Sequence, residues 1–209
     1  MNKLLLRLFI KLHNYSYKHI SRLVVLLNNG IHPKHRLMNY HQFFIDMVSP
    51  DDFVLDIGCG NGANSYDVAN RAKKVIGIDF NKNNIESARK RYQRSNLEFI
   101  VGDATTYHLN QPVDKIILSN VLEHIKHRVE FLQKLHRLSD IILLRVPMIT
   151  RDWLPMYKKE MGLEYRLDKT HFIEFTLEGL REELFQAGWS IKSHQIIFGE
   201  FWGVIESTK

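Results

Sequence analysis

The sequence predicts an α/β fold with an open, mostly parallel sheet, and three observations support that prediction. Apolar runs of strand length recur along the chain, segments of helical periodicity or polarity lie between them, and the connections are short. An order of strand, helix and strand with short connections favours parallel strands joined by right-handed crossovers. At 209 residues the chain is long enough to bury one sizeable core.

The first 50 residues differ from the rest of the chain in charge. They hold seven Lys or Arg and one acidic residue, Asp46, whereas the remainder is neutral overall. At 100° per residue, five basic side chains fall on one stripe of a helix and six apolar side chains fall opposite. The basic stripe is Lys3, Arg7, Lys11, Lys18 and Arg22, and the apolar stripe is Leu5, Phe9, Leu12, Ile20, Leu23 and Leu27. We predict an amphipathic helix that ends near residues 28–30.

This N-terminal helix has two interpretations. Basic amphipathic segments lie on anionic lipid, which makes residues 1–28 a candidate for peripheral membrane contact. Alternatively, the helix packs on its own domain or on a partner chain, and its basic stripe is merely solvated. We favour packing, and we treat residues 1–36 as a helical appendage to a domain of residues 37–209.

The composition predicts a cytoplasmic protein, with the inner face of the membrane as an alternative location. The single cysteine, Cys59, excludes an intramolecular disulfide framework and any multi-cysteine zinc site. No apolar run approaches the roughly 18 to 20 residues of a membrane span. Arg7 and Lys11 interrupt the segment that a signal peptide would keep apolar.

The other elements follow in order. The predicted strands are Phe53–Ile57, Lys74–Ile78, Leu97–Val101, Lys115–Leu118 and Asp140–Val146. The predicted helices are Asn64–Arg71, Asn83–Arg94, Arg128–Leu138 and Leu177–Ala187. Gly188 stops the last helix, and two β-rich runs around Gly199, within Trp189–Ser207, predict a hairpin. Ligands bind such sheets at the carboxyl ends of the strands.

Three glycines follow the first predicted strand, in "VLDIGCGNG". At Gly58, Gly60 and Gly62 the missing side chains let the backbone turn tightly and approach a ligand closely, so this stretch predicts a cofactor loop. A dinucleotide fingerprint competes with this interpretation, because the stretch also fits G-x-G-x-x-A and Asp79 follows at a suitable distance for a ribose contact. The spacing of the glycines leaves both open.

Carboxylates at the ends of three successive strands favour a cofactor with an amino-acid part. Asp56, two residues before Gly58, attracts an ammonium group and repels a pyrophosphate. Asp79 ends the second strand, where its two acceptor oxygens suit the hydroxyls of a ribose. Asp103 ends the third strand, where it suits an adenine amino group. Together the three carboxylates would line one edge of a cleft.

The ordered motifs "VLDIGCGNG", "VIGIDFNKNNIESARKR", "VGDA" and "VDKIILSNVLEHI" resemble those of class I S-adenosylmethionine-dependent methyltransferases. The resemblance implies a Rossmann-like, doubly wound sheet of seven strands with a reversed C-terminal strand. It implies S-adenosylmethionine as the cofactor and S-adenosylhomocysteine as the product. By position, the residues expected to contact the cofactor are Asp56, Gly58, Gly60, Gly62, Asp79, Phe80, Asp103, Ala104 and Asn120, the last of which would face the transferable methyl group.

Two histidines are candidate bases for removing a proton from a methyl acceptor. His171 lies in "LDKTHFIEFT", between the fifth strand and the last helix, where this fold often builds the acceptor pocket. His124 lies in "NVLEHI", just past the fourth strand. Histidine is the side chain that most often serves as a general base, and either residue could instead make a purely structural hydrogen bond.

We predict no metal ion. In the ubiquinone-biosynthesis O-methyltransferases, which this region resembles, a glutamate three residues before a Glu-His pair helps to bind a divalent ion. Here Asn120 occupies that position, while Glu123 and His124 are retained. The loss of one carboxylate leaves a thin ligand set for a hard cation.

The acceptor is predicted only as a class. The segments around residues 30–44 and 145–176 resemble bacterial methyltransferases associated with cell-surface polysaccharide synthesis, which implies O-methylation of a sugar or another small polar acceptor. Arg145, Arg151 and Arg166 are candidates to hold a phosphate or carboxylate, and Trp153 to stack on a sugar. No sustained basic face outside the N-terminus supports nucleic acid as a partner. The oligomeric state is not predicted.

Three other functions remain open. An N-methyltransferase needs no strong base, so the two histidines would be dispensable for it. An NAD-dependent oxidoreductase would use the same glycines, although Asp56 and Asp103 argue against a dinucleotide. A non-catalytic module would bind the cofactor without turning it over.

Overall fold

The computed structural model describes residues 1–28, 32–103 and 111–209. By its internal contacts the chain divides into residues 1–40 and 41–209. The first unit contains the helices α1 (Asn2–Leu27) and α2 (Lys34–Met38). All six apolar residues predicted to share one stripe of α1 are 46% to 82% exposed. Within the described ranges, no helix has the length and apolar character needed to cross a membrane.

One sheet organises the second unit, and seven strands form it in the described part of the chain. These strands are β1 (Phe53–Ile57), β2 (Lys74–Asp79), β3 (Leu97–Val101), β4 (Lys115–Ser119), β5 (Ile141–Pro147), β6 (Trp189–Ile197) and β7 (Glu200–Ser207). Their order in the sheet is β3-β2-β1-β4-β5-β7-β6. Strands β1 to β5 run parallel, and β7 runs antiparallel to both of its neighbours. The predicted mostly parallel, seven-stranded sheet with a reversed C-terminal strand is confirmed.

Helix α3 (Tyr40–Asp46) precedes β1. Helices also lie between strands, as the sequence predicts: α4 (Ala63–Val68) follows β1, α5 (Lys82–Arg91) follows β2, α6 (Arg128–Leu135) follows β4, and α7 (Trp153–Glu160) and α8 (Leu177–Gln186) lie between β5 and β6. The sequence predictions do not include α2, α3 or α7. Helix α7 nevertheless carries a start signal, because the Asp152 side chain accepts a hydrogen bond from the Leu154 N–H as an N-cap.

The central strands are buried on both faces, which explains why they read as continuous apolar runs. The largest fully buried side chain of the core is Trp189 at the start of β6, whose indole N–H donates to the Leu132 carbonyl at 3.0 Å. Strand order reverses between β1 and β4, because the chain builds outward to β3 and then returns to the other side of β1. Ligands of open α/β sheets bind at such a switch point, at the carboxyl ends of the strands.

Candidate functional site

The loop after β1 turns on its three glycines. Gly58, Gly60 and Gly62 have φ angles of +69°, +55° and +82°, in the left-handed region that favours glycine. A Cβ atom on Gly58 would lie 2.5 Å from Cγ2 of Val121, and one on Gly62 would lie 2.5 Å from the Phe99 ring. The glycines therefore permit both the turn and its close packing against the segment after β4.

Backbone hydrogen bonds hold this loop against the end of β2. The amides of Gly58 and Cys59 both donate to the carbonyl of Ile78, at 2.7 and 3.1 Å. The amide of Gly60 donates to Oδ2 of Asp79 at 3.0 Å. Asp79, the last residue of β2, thus also holds the loop in place.

Asp56 is a buried carboxyl group at the switch point. It is 1% exposed, and its Oδ2 accepts a hydrogen bond from Oγ of Ser65 at 2.6 Å. Burial raises the pKa of Asp56 to about 7, because desolvation disfavours the charged form more than the Ser65 hydrogen bond favours it. The nearby charge of Asp79 acts in the same direction as burial. A positively charged ligand group would relieve this unfavourable environment.

The predicted carboxylates come to one edge of the sheet. The strand register pairs Asp56 with Gly77 and Asp79 with Val101, two residues before Asp103. Asp79 is 7% exposed, whereas Asp103 lies exposed just past β3.

Two further predicted cofactor contacts follow these strand ends. Phe80 is 78% exposed beside Asp79, in a position to pack against a bound ring. The predicted contact at Ala104 lies outside the described residues.

Asn120, directly after β4, has an unusual backbone. Its φ angle is +56°, which few residues other than glycine adopt, and its amide donates to the Arg145 carbonyl at 2.8 Å. Its buried side-chain oxygen has no hydrogen-bond partner among the described residues. Backbone strain combined with an unsatisfied acceptor is typical of a ligand-contacting position.

The structure brings the two predicted bases together. His124 lies in a 3₁₀ turn, Leu122–His124, and His171 lies in the loop before α8. Their rings meet edge to face, with centroids 4.7 Å apart. The amide of Phe172 donates to the carbonyl of Glu123 at 2.8 Å and fixes the loop against the turn.

Glu123 completes this group, which we call the Glu-His-His cluster (Glu123, His124 and His171). Glu123 is fully buried, and burial raises the pKa of its carboxyl group to about 7, against the opposing attraction of His171 and Arg145. Burial, reinforced by repulsion from His171, lowers the pKa of His124. The sequence places Glu123 only beside His124, and its burial close to His171 becomes visible in the fold.

Hydrogen bonding selects the tautomer of His124. The Thr170 hydroxyl donates to Oδ1 of Asp168 at 2.8 Å, so that hydroxyl proton is not available to His124. Nδ1 of His124 lies 3.1 Å from the same hydroxyl oxygen and therefore donates to it. In the neutral ring this leaves the lone pair on Nε2.

The three arginines considered for anion binding already have carboxylate partners. Nε of Arg145 lies 2.5 Å from Oε2 of Glu200, and both residues are buried. The other two ion pairs are Arg151 with Glu174, and Arg166 with Glu164 at 2.8 Å. Because these charges are balanced within the protein, the arginines are a weaker basis for an acceptor phosphate than the sequence indicates. Trp153 is 70% exposed and remains accessible for stacking.

Comparison with protein families identifies the domain. A family model described as a methyltransferase domain matches residues 49–161, which is more than half of the chain. The chain belongs to the methyltransferase domain family. The match includes β1 to β5, the glycine loop and the turn that carries Glu123 and His124.

Relatives of this methyltransferase domain are named for different activities. The probable cobalt-precorrin-6B C(15)-methyltransferase (decarboxylating) of Methanococcus maripaludis (strain C6 / ATCC BAA-1332) is 32% identical over 90 residues, 42% of this chain and 49% of that protein. The (S)-tetrahydroprotoberberine N-methyltransferase of Eschscholzia californica is 32% identical over 102 residues, 46% of this chain and 29% of that protein. The chain spans about half the length of the first relative and less of the second.

Solved structures share the fold of this methyltransferase domain. The protein in complex with the Haloferax volcanii methyltransferase activator Trm112 has a TM-score of 0.70 at 14% identity, covering 85% of this chain and 92% of that one. Magnesium protoporphyrin IX methyltransferase from Synechocystis, solved with bound S-adenosylhomocysteine, has a TM-score of 0.60 at 20% identity, covering 93% and 82%. At these identities the likeness shows the fold.

The buried Asp56 predicts a pH-dependent stability difference. Its folded pKa of about 7 lies above the ordinary aspartate value of 3.8, so its protonated form stabilises the fold below about pH 4, and that stability is lost as the pH rises to about 7. We expect Asp56→Asn to be more stable than the wild type, by an amount that grows from about pH 4 and levels off above about pH 7 at up to about 4 kcal/mol.

Urea unfolding of the ligand-free protein at several pH values measures this difference. Asp51→Asn, at an exposed carboxyl group, is the control and should show little pH dependence. A stability gain of Asp56→Asn that is the same at about pH 5 and about pH 8 would contradict the assignment of a raised pKa.

Proposed function

We propose that the chain is an S-adenosylmethionine-dependent methyltransferase that O-methylates a sugar or another small polar acceptor in cell-surface glycan synthesis. The observation that carries the proposal is the convergence of the glycine loop, the carboxylates of Asp56 and Asp79, and the Glu-His-His cluster at one switch point of the sheet. Membership of the methyltransferase domain family supports the reaction class and the cofactor.

The charges of the loop fit the cofactor. Asp56 is buried at the turn, and no positively charged group contributes to the shift of its pKa. The ammonium group of the cofactor would neutralise the carboxylate of Asp56. A dinucleotide would bring its pyrophosphate toward the same carboxylate, so the NAD-dependent alternative is disfavoured. Oδ1 of Asp79 accepts from the Asn81 amide and from the Asn84 side chain, whereas Oδ2 accepts only from the Gly60 amide and keeps a second acceptor site for a ribose hydroxyl.

The Glu-His-His cluster supports a hydroxyl acceptor. In the proposed reaction the acceptor oxygen attacks the methyl carbon in line, the carbon–sulfur bond breaks, and its electron pair stays on the sulfur of S-adenosylhomocysteine. The hydroxyl proton must leave, and in this proposal it passes to the imidazole of His124 or of His171, whose rings are in contact. An amine acceptor would not need them in this role.

Two arguments support the proposed class of acceptor: the polar groups near the Glu-His-His cluster, and the resemblance of the sequence to other methyltransferases. Arg145 and Glu200 form a buried ion pair, and the charges of both act on Glu123. Polar groups close to the cluster suit a hydroxyl-rich acceptor better than an apolar ring. The activities in the names of the similar proteins concern a precorrin, the nitrogen of a tetrahydroprotoberberine and a magnesium protoporphyrin, so family membership leaves the acceptor open. The choice of a sugar as the acceptor therefore rests on the resemblance to polysaccharide-associated methyltransferases.

Transfer of labelled methyl tests the reaction and the acceptor class together. We expect label from S-adenosylmethionine to enter the glycan fraction of a cell extract with the wild type, and not with the double variant Asp56→Ala, Asp79→Ala. Glycan, lipid, protein, nucleic-acid and small-molecule fractions are counted separately. Label in a fraction without glycan would overturn the sugar acceptor, and cofactor binding without any label would favour a non-catalytic module.

Substitution of the two histidines tests the acceptor chemistry. We expect His171→Ala and His124→Ala each to lower kcat by about a hundredfold, because a positioned base contributes about 10² or more, while the cofactor dissociation constant stays the same. His127→Ala, at an exposed histidine in the same segment, is the control and should leave kcat unchanged. Full activity in both cluster variants would favour an N-methyltransferase.

We also propose that α1 lies on the inner surface of an anionic membrane. Its six apolar stripe residues are largely exposed, and the opposite stripe is basic, with no acidic residue before Asp46. A helix with this division of charge complements anionic headgroups and buries its apolar face at the acyl boundary. This arrangement would bring the methyltransferase domain close to a lipid-linked acceptor.

Vesicle sedimentation of the full chain tests this membrane contact. We expect binding to phosphatidylserine-containing vesicles and not to pure phosphatidylcholine vesicles. Replacing Lys3, Arg7 and Lys11 by serine should weaken binding by about two orders of magnitude, at roughly 1 kcal/mol per basic residue. The matched control replaces three exposed lysines of the other unit, Lys73, Lys82 and Lys90, and removes the same charge. Equal weakening by both variants would contradict a specific role of α1.

A further inference from the structure

Side chains of metal-ligating type converge next to the glycine loop, outside the residues assigned to the cofactor. Glu123, His124 and His171 each offer one ligand atom, and these atoms all lie within 4.8 Å of one another. Two of the residues come from the turn after β4, and His171 comes from the loop before α8. The cluster is thus built from two segments held together by the hydrogen bond from the Phe172 amide to the Glu123 carbonyl.

The cluster contains buried polar atoms without partners. Both carboxylate oxygens of the fully buried Glu123, and Nδ1 of His171, make no hydrogen bond among the described residues. Nδ1 of His171 lies 3.5 Å from Glu174, whose carboxylate is already bound by Arg151. Burying a carboxylate without a hydrogen-bond partner is unfavourable, so a positive ligand group bound at Glu123 would relieve this cost.

An arginine whose charge acts on Glu123 is paired with another carboxylate. Arg145 forms a buried ion pair with Glu200, at 2.5 Å. Unlike Arg145, His124 has a ring nitrogen that can bind a cation, because its tautomer leaves a lone pair on Nε2. Nδ1 of His124 donates to the Thr170 hydroxyl, which in turn donates to Asp168. An outer hydrogen bond that fixes the ring of a metal-ligating histidine is typical of metal sites.

We propose that the Glu-His-His cluster binds one divalent transition-metal ion, for which Zn²⁺ is the representative. Two imidazoles and one carboxylate suit this class of cation, whereas Mg²⁺ and Ca²⁺ prefer oxygen ligands. Ligand atoms of a tetrahedral zinc site lie about 3.3 Å apart, so the side chains must move inward by about 1 Å. His124 is exposed, so the cluster is accessible from solvent on the side of that residue.

This proposal differs from the expectation of no metal. That expectation considered residues close in sequence, where Asn120 replaces a carboxylate beside Glu123 and His124. The third ligand, His171, comes from a distant part of the chain and becomes visible only in the fold. Because His171 contributes an imidazole nitrogen, the three ligands favour a borderline cation such as Zn²⁺ over a hard cation such as Mg²⁺.

Binding of the ion is independent of methyl transfer, whereas its role rests on the proposed function. In that role the acceptor hydroxyl oxygen binds at an open position of the ion, which lowers the pKa of the hydroxyl. The proton passes to solvent, the oxygen attacks the methyl carbon, and the electron pair of the carbon–sulfur bond stays on sulfur. The two histidines then act as ligands of the ion instead of accepting the proton.

Calorimetric titration of the full chain with Zn²⁺, without cofactor or acceptor, tests the site directly. The protein is prepared without a histidine tag and stripped with a chelator. We expect one ion per chain, and a loss of affinity on the order of a hundredfold in Glu123→Gln and in His171→Ala, since each removes one of three protein ligands. Glu123→Gln removes a buried charge and keeps the side-chain shape, so it should still fold. His127→Ala is the control with an intact cluster.

The outcomes separate this proposal from the proposed function. Stoichiometric Zn²⁺ binding that both cluster variants lose and the control keeps would support the site, whether or not methyl transfer is found. No stoichiometric binding to the wild type, or equal binding by Glu123→Gln, would overturn it. Methyl transfer that survives chelation unchanged would overturn the role of the ion and leave the O-methyltransferase proposal standing.

Discussion

The burial of two carboxyl groups, Asp56 and Glu123, is the constraint on which the rest of this site depends. Burial raises the pKa of each to about 7, and neither has an arginine or lysine as a direct partner in the described protein. A domain held together by its core tolerates such groups only at a cost in stability. That cost is relieved when positive ligand groups bind, so the same carboxyls that weaken the empty fold strengthen the loaded one.

The topology of the sheet places the segments that carry these two groups at neighbouring strands. Strands β1 and β4 pair in register, with Ile57 opposite Leu118, so the segments that follow them leave the sheet side by side. Gly58 then packs so closely on Val121 that any side chain at position 58 would collide with it. This contact couples the cofactor loop to the turn that carries Glu123. The glycine is therefore as important for joining the two halves of the site as for turning the chain.

The sequence predicts most of the fold and the cofactor half of the site, because both depend on local patterns. Apolar runs mark β1 to β5 within one residue at each end, and glycine spacing marks the left-handed turns. The acceptor half depends on which distant segments meet. Nothing near His171 in sequence reveals that its loop returns to Glu123 through one backbone hydrogen bond. For the same reason, the carboxylate partners of the arginines could not be predicted from spacing.

In the proposed reaction the two halves act on opposite charges. Asp56 and Asp79 lie on the side of the cofactor, whose sulfonium and ammonium groups are positive, and the loss of the sulfonium charge on methyl transfer weakens this attraction and favours release of the product. On the acceptor side, oxygen gains negative charge as its proton leaves. A divalent ion in the Glu-His-His cluster would hold that oxygen between two positive centres in the transition state. Glu123 would then keep the ion from repelling the sulfonium, which gives a buried and otherwise unfavourable carboxylate a function.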